Sequence, residues 1–396
     1  MIMTAKNFVN KPTVLIFCNY YLPGYKSGGG MRSIVNMVAH FKNQIDFRVV
    51  TFDHDGDGKP YTTVKINEWN EVEGTQVYYL SKDKIKISKL RQLIEEVQPN
   101  SIYLNSVFSV MSIFILTLKK LKLIPKMGVI LAPEGELSEG ALKLKATKKK
   151  AFTKFAKSSG LYRDLIWKTT AEPEKKETES FKGRGGKIFV APNLPAQNFL
   201  EGYQQELKPK KNVGEANMVF LSRFVKKKNF KWLVDNLKNI DGKLKIDIIG
   251  PIEDEIYWNE TKKSIKKLPS NIKVEYKGHI ENGMVQQKLS EYHFFILPTL
   301  GENFGHVFIE ALAAGCPLLI SDRTPWVDLE KQGIGWDLPL EKPKKWQDKI
   351  NYCINLDEIS YREVSSKSRE YARHWVENPT ILENTLIVLK NSLEAA

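Results

Sequence analysis

Two glutamates eight residues apart stand in the stretch Pro298-Thr-Leu-Gly-Glu302-Asn303-Phe304-Gly305-His306-Val307-Phe-Ile-Glu310-Ala-Leu-Ala-Ala-Gly315-Cys-Pro317. The apolar run Phe294 to Leu297 before it predicts a buried strand ending at Pro298, and the periodicity after it predicts a helix from about Gly305 to Gly315. Ligands of open α/β sheets sit on such loops, outside the carboxyl ends of strands. Backbone N–H groups at the helix start, with the helix dipole, make an anion site suited to a diphosphate. Glu302 precedes that cradle. Glu310 lies one to two turns into the helix, where a carboxylate can accept paired hydrogen bonds from vicinal hydroxyls such as those of a ribose. Two acids flanking a phosphate cradle suit a nucleotide-sugar; two solvated glutamates near a helix start are the alternative.

A second stretch, Phe220-Leu-Ser-Arg223-Phe-Val-Lys226-Lys227-Lys228, takes a strand into a helix with an arginine and a lysine five residues apart. Arginine offers a fixed fork of donors and lysine a mobile point charge, a pair able to stabilise a departing diphosphate. A merely basic surface loop competes with that reading, since Lys226 and Lys227 crowd the same spot. The third stretch, Asn19 to Gly30, leaves the first strand and ends in Gly28-Gly29-Gly30 before a helix expected at Met31 or Arg32. Glycines let backbone approach phosphate closely, and Arg32 is the nearest fixed charge.

The elements that must position these residues alternate short β-rich runs with helical patterns, the mark of parallel sheets with crossover helices. In the first half, strands are expected at Val14–Cys18, 47–52, 77–80, 102–104, 129–131 and 188–190, with helices near 31–43, 87–97, 109–121 and 144–157. The second half restarts at Met218–Leu221, followed by 244–249, 272–276, 294–297 and 318–320. The segment Pro192 to Gly214 reads as a linker, so the boundary is set near residue 205. Helical stretches at 359–374 and 380–394 end the chain, and the last either closes the second domain or returns to the first. At 396 residues, two domains are expected.

Composition excludes several classes. The three cysteines, Cys18, Cys316 and Cys353, form no C-x-x-C pair, so neither a disulfide framework nor a thiolate metal site is expected, and a reducing cytosol fits. No run reaches the length of a membrane span. A formal charge of +14 favours an anionic partner without choosing one, and no nucleic-acid module is present. Asp53-His-Asp55-Gly-Asp57 contains D-x-D twice, but the twelfth position of a calcium loop would be Val64, so a solvated acidic turn is the expectation. The six histidines lack metal-ligand spacing; His306 alone is expected to touch ligand. Seven lysines between Leu142 and Lys157 accompany Leu144, Ala151, Phe152, Phe155 and Ala156 along one helical face, which suits either an anionic membrane surface or plain solvation.

The run from Pro298 to Pro317 resembles glycosyltransferase family 4, the glycosyl transferases group 1, whose mark is E-x7-E within P-x-x-x-E-x-F-G-x-x-x-x-E-A-x-A-x-G-x-P. Gly250-Pro-Ile-Glu-Asp-Glu, Gly278-His279-Ile280 and Pro192-Asn-Leu-Pro fall where that family leads one to look. The resemblance implies an α/β fold of GT-B type, two Rossmann-like domains facing across a cleft that closes on binding. Residues 1–205 would bind the acceptor and 206–379 the nucleotide-sugar. It implies that Glu302 contacts the donor sugar; that Asn303, Phe304, Gly305, His306 and Val307 contact sugar and phosphates; and that Glu310 holds the ribose. Arg223 and Lys228 would take the diphosphate, Gly28, Gly29, Gly30 and Arg32 would face the donor, and Gly278, His279 and Ile280 would lie beside the nucleobase. Many relatives carry a histidine in the first domain, where this chain has Ala132-Pro133-Glu134-Gly135-Glu136, making Glu134 the candidate in its place. The implied activity is metal-independent, cofactor-free retaining transfer from a nucleotide-sugar to a glycan or lipid-linked acceptor in cell-surface polysaccharide synthesis. It would take place in the cytoplasm or peripherally at the inner face of the membrane. The rival readings are a nucleotide-sugar epimerase, a glycan phosphorylase and a non-catalytic nucleotide-sugar or glycan-binding partner.

Overall fold

The computed structural model describes residues 11–25, 28–143, 146–197, 199 and 208–395. Two compact units divide the chain, Met1–Gln197 with Pro379–Ala396 as the first and Asn198–Asn378 as the second. The junction expected near residue 205 lies outside the described residues.

The first unit holds the strands β1 (Thr13–Phe17), β2 (Asp46–Phe52), β3 (Trp69–Val72), β4 (Thr75–Leu80), β5 (Ser101–Asn105), β6 (Gly128–Ala132), β7 (Ile166–Thr169) and β8 (Lys187–Val190). They form one sheet in the order β3-β4-β2-β1-β5-β6-β7-β8, parallel except where β3 runs against β4. Helices α1 (Gly29–Phe41), α2 (Ile87–Val97), α3 (Val110–Lys120), α4 (Glu139–Lys143), α5 (Ala146–Ser159) and α6 (Glu172–Phe181) connect them. Val14, Leu15 and Ile16 of β1 are wholly buried, which is why the strand is continuously apolar and does not alternate: both faces are covered. On α2 the buried residues Leu90, Leu93, Ile94 and Val97 recur at three and four, one stripe toward the sheet.

The second unit holds β9 (Glu215–Leu221), β10 (Lys243–Ile249), β11 (Ile272–Tyr276), β12 (Phe294–Leu297), β13 (Leu318–Ser321) and β14 (Gly335–Leu338). The order is β11-β10-β9-β12-β13-β14, every pairing parallel. Helices α7 (Phe230–Asp235), α8 (Glu255–Ile265), α9 (Val285–Ser290), α10 (His306–Ala313), α11 (Leu329–Gln332), α12 (Pro343–Asn355) and α13 (Glu358–Glu377) surround it. Asp254 caps α8 by accepting from the Tyr257 N–H at 2.9 Å, and Asp357 caps α13 by accepting from Ser360 N–H at 2.7 Å. The strand order reverses between β9 and β12, so the ligand crevice expected of such a sheet opens at the carboxyl ends of those two strands.

The chain then returns to the first unit as α14 (Pro379–Glu394), packed on β5, β6, β7 and β8. Gly128 on β6 allows this, because the Ser392 backbone occupies the space a Cβ there would need. Of the expected lysine-rich helix, Leu144 and Lys145 lie outside the described residues. Of the face expected there, Ala156 is buried and Phe152 packs on Phe108, whereas Phe155 is 64% exposed. Among the described residues no helix is long and apolar enough to cross a membrane.

Candidate functional site

In the second unit, β9 delivers Arg223 to the strand-end loop. Phe224 beside it is fully buried against Phe220, Phe230, Tyr257 and Trp258, and its N–H donates to the Pro251 carbonyl at 2.8 Å. Arg223 itself stays exposed, paired with Glu253 at 3.2 Å. Residues Lys226–Lys228 form one tight turn that leaves the first two lysines exposed and buries the third. The Lys228 ammonium donates to the Glu302 carboxylate, joining the loops after β9 and β12 across the switch point.

That junction is braced from several sides. Leu300 N–H donates to the Lys227 carbonyl at 2.8 Å, Glu302 N–H to the Arg323 carbonyl at 3.1 Å, and Ser321 Oγ to the Thr299 carbonyl at 2.5 Å. Burial pushes the Glu302 carboxyl upward, but Lys228, Lys227 and the Asn303 N–H outweigh it and hold the group below the usual carboxylate range. Glu302 is thus a fixed, ionised hydrogen-bond acceptor.

Gly305 is the N-cap of α10 with φ 77°, and a Cβ there would lie 2.5 Å from Phe308 Cδ2 and 3.1 Å from Glu302 Cγ. Only glycine fits this turn. Phe304 before it is buried beside Trp326 and Trp375, and the Trp326 indole N–H donates to the Phe304 carbonyl at 2.6 Å. The start of α10, with His306 and Val307, therefore points from a rigid loop, as an anion site requires. Glu310 lies one turn further, on the same face as His306 and half-buried.

The loops after β10 and β11 reach the same end of the sheet. Gly250 N–H donates to the Gly278 carbonyl at 2.8 Å, and Gly250 passes so close to the Ser222 carbonyl that a side chain there would collide with it. Gly278 has φ 79°, His279 is exposed, and Ile280 packs on the core. Arg223, Lys228, Gly278, His279, Ile280, Glu302, Asn303, Phe304, Gly305, His306, Val307 and Glu310 thus share one edge of one sheet.

The remaining candidates belong to the first unit. Helix α1 begins at Gly29, two or three residues before its expected start; Gly28 is the N-cap with φ 76°, and Gly29 and Gly30 are helical. Lys26 and Ser27 lie outside the described residues. Arg32 is half-buried in the first turn. Asp55 ties this loop down by accepting from the Tyr25 N–H at 2.6 Å, so one of the D-x-D acids serves the backbone.

Glu134, after β6, has φ 49°. Its Oε2 accepts from Asn193 Nδ2 at 3.0 Å and Ser33 Oγ at 3.3 Å, and its Oε1 lies 3.7 Å from the Lys168 ammonium. Glu136 accepts from Ser106 Oγ and from the Val107 and Phe108 N–H groups. Glu174 accepts from the Gly135 N–H at 2.6 Å; burial first, then the Glu134 charge, raises its carboxyl above the usual range. Sequence reasoning missed Lys168, Ser33 and Glu174. A lone lysine inside Leu165-Ile-Trp-Lys-Thr is the one signal that pointed to them.

Residues 204–375 match the family described as glycosyl transferases group 1. Among solved structures, the chain is similar to HepE of Anabaena in complex with UDP and glucose, at 15% identity over 96% of this chain and 100% of that one, with a TM-score of 0.70. It is similar to the sucrose-phosphate synthase of Thermosynechococcus elongatus, at 14% identity over 98% of this chain and 100% of that one, with a TM-score of 0.69. WaaG, a glycosyltransferase involved in lipopolysaccharide biosynthesis, matches at 12% identity over 91% of this chain and 95% of that one, with a TM-score of 0.59. An uncharacterized 41.2 kDa protein in the cps region of Klebsiella pneumoniae is 23% identical over 37% of this chain, and the match spans only 39% of that relative's length. These likenesses show the GT-B fold.

Proposed function

We propose, from the match of residues 204–375 to the glycosyl transferases group 1 family and from the GT-B fold, that this chain transfers a sugar from a nucleotide-sugar to a glycan or lipid-linked acceptor. The observation that carries this reading is the Lys228–Glu302 pair at the β9/β12 switch point, beside a glycine-capped helix start and Glu310. Glu310 receives the ribose hydroxyls, the start of α10 with Arg223 and Lys228 receives the diphosphate, and Glu302 receives a sugar hydroxyl. Gly278, His279 and Ile280 lie beside the base. A lysine has three N–H donors, so Lys228 can keep Glu302 while donating to phosphate.

As the bond from the sugar to the diphosphate breaks, negative charge grows on the departing phosphate, and Arg223, Lys228 and the helix amides are stationed to stabilise it. Loss of one charge-assisted bond, worth roughly 1.5–3 kcal/mol, slows transfer roughly 10- to 150-fold. No metal is required by this scheme, and the acceptor attacks the face the diphosphate leaves, retaining configuration. Gly28, Gly29, Gly30 and Arg32 of the first unit serve the donor, and Glu134 contacts donor or acceptor. A role in cell-surface polysaccharide synthesis is supported by the relative in a cps region and the likeness to WaaG.

HepE was solved with UDP and with UDP-glucose, so uridine diphosphate sugars lead the donors to test. A thermal-shift panel of UDP-, GDP-, ADP- and dTDP-sugars with chelator present, on wild type and Glu310→Ala, is the test. One nucleotide class should raise the melting temperature, less so in the variant. No shift with any of them contradicts donor binding. Proton NMR of the released sugar should show the donor's anomeric configuration; inversion contradicts retention.

A further inference from the structure

We propose that Lys168, together with Asn193 and Ser33, is a positioning residue that fixes Glu134 so that its Oε1 accepts a sugar hydroxyl. The proposal rests on the transferase reading above and adds the frame that sets its first-unit carboxylate.

Lys168 is 4% exposed in the middle of β7, next to the fully buried Trp167. An ammonium so placed is costly unless paired. Its partners are the Asn193 Oδ1 and, at 3.7 Å, Glu134 Oε1. Asn193 closes the triangle by donating to Glu134 Oε2, and Ser33, from the start of α1, donates to the same oxygen. Three elements thus converge on a carboxylate carried by the loop after β6: α1, β7 and the segment after β8.

The two oxygens are treated unequally. Oε2 receives the Asn193 hydrogen bond and shares the Ser33 hydroxyl with the Gly29 carbonyl, while the buried Oε1 accepts none among the described residues and faces an ammonium beyond hydrogen-bond reach. A pair whose only task was packing would satisfy both oxygens, since an unsatisfied buried acceptor is costly. The backbone adds to the case. Glu134 has φ 49° and Gly135 φ 80°, and the turn is clamped by Glu174 on the Gly135 N–H and Glu136 on the Val107 and Phe108 N–H groups. A left-handed non-glycine residue persists only where its surroundings over-determine it, a pattern that concentrates at functional sites. The turn also stands at the carboxyl end of β6, the end at which open α/β sheets hold ligands. A carboxylate oxygen takes a hydroxyl donor, and the reading above supplies sugars.

The test compares wild type, Lys168→Met, Glu134→Gln and the double variant, with Lys168→Arg as the conservative rescue. Three quantities are read: urea unfolding, the dissociation constant of the nucleoside diphosphate alone, and its release from the nucleotide-sugar that the thermal-shift panel selects. Lys168→Met should lose roughly 10- to 100-fold in turnover, the size of effect a misplaced catalytic group produces. Affinity for the nucleoside diphosphate, which the second unit is read to hold, should stay within about twofold, and Lys168→Arg should recover part of the turnover. In the Glu134→Gln background the same change should cost less than about threefold, because groups acting as one unit are not additive.

Additive losses, or unchanged turnover in Lys168→Met, would overturn the proposal. So would the absence of coupling between positions 134 and 168 in urea unfolding, which needs no substrate. If Lys168→Met does not fold, Asn193→Ala keeps both charges and should show the same loss of turnover with unchanged nucleotide affinity. A wild type that binds no nucleotide-sugar sinks the donor reading instead, and leaves the unfolding cycle to decide the frame.

Discussion

Replacing Lys228 by methionine leaves an unbranched apolar side chain one atom shorter and removes the charge from a pair with side-chain exposures of 11% and 17%. Glu302 would then be left as a largely buried, unpaired carboxylate. Breaking a buried pair costs about 3–5 kcal/mol, and the residual exposure puts this one near about 3 kcal/mol. For a unit of this size that corresponds to a fall of roughly 6–12 °C in its melting temperature. Adding Glu302→Gln removes the stranded charge and should restore most of the loss. The nucleotide should discriminate between the two roles of the lysine: calorimetric titration should show affinity roughly 10- to 150-fold weaker in both the single and the double variant. Wild-type melting in Lys228→Met would refute the buried pair, and recovered nucleotide affinity in the double variant would refute the contact of Lys228 with the diphosphate.

Gly305→Ala must place a Cβ at φ 77°, 2.5 Å from the Phe308 ring. Left-handed strain of about 1–2 kcal/mol and overpacking of about 1–3 kcal/mol should lower stability by roughly 2–5 kcal/mol in urea unfolding and abolish nucleotide binding; a variant with wild-type binding would show that the glycine turn does not set the site. Glu253→Gln releases Arg223 from an exposed ion pair, so nucleotide affinity should rise about twofold to fivefold at low salt and lose that gain at high salt, and a fall in affinity would contradict it. Burial, against the hydrogen bond to the Lys210 carbonyl, pushes His293 down to about 4, with Nδ1 accepting from the Asn217 N–H at 3.0 Å. The unfolded chain therefore binds the proton first: stability of the second unit is complete above about pH 6.5 and falls by about 3 kcal/mol as pH drops toward 4. Protonation of Glu302, whose carboxyl is also depressed, then removes more below its ordinary range. A flat melting temperature from pH 7 to 4.5 would contradict the histidine's part.

The strand-end loops were legible in the sequence because each combines an apolar run, a glycine and charged residues in a fixed order. The β12–α10 loop, Arg223 and Lys228 lie on the strand ends where spacing put them. Lys226 and Lys227 crowd the same spot in the sequence, and the tight turn at Lys226–Lys228 is what sends Lys228 alone of the three to the interior. The strands that escaped notice are short or interrupted: Trp69–Val72 carries polar residues on an edge, Ile166–Thr169 contains Lys168, and Gly335–Leu338 is broken by Asp337. With Ile166–Thr169 hidden, so was the frame around Glu134, whose members come from residues up to 160 positions apart. Helix α6 carries mostly charge, so its periodicity was faint. The return of α14 to the first unit was undecided because an amphipathic helix does not name its sheet; the close seat against Gly128 does.

The central claim is that the second unit's loops after β9 and β12, with the start of α10, hold the nucleotide. Hydrogen exchange with and without the nucleotide chosen by the thermal-shift panel tests it most directly, since bound backbone N–H groups exchange slowly. The account predicts new protection concentrated in residues 222–228 and 302–310. Protection confined to the first unit, or none at saturating nucleotide, would contradict it.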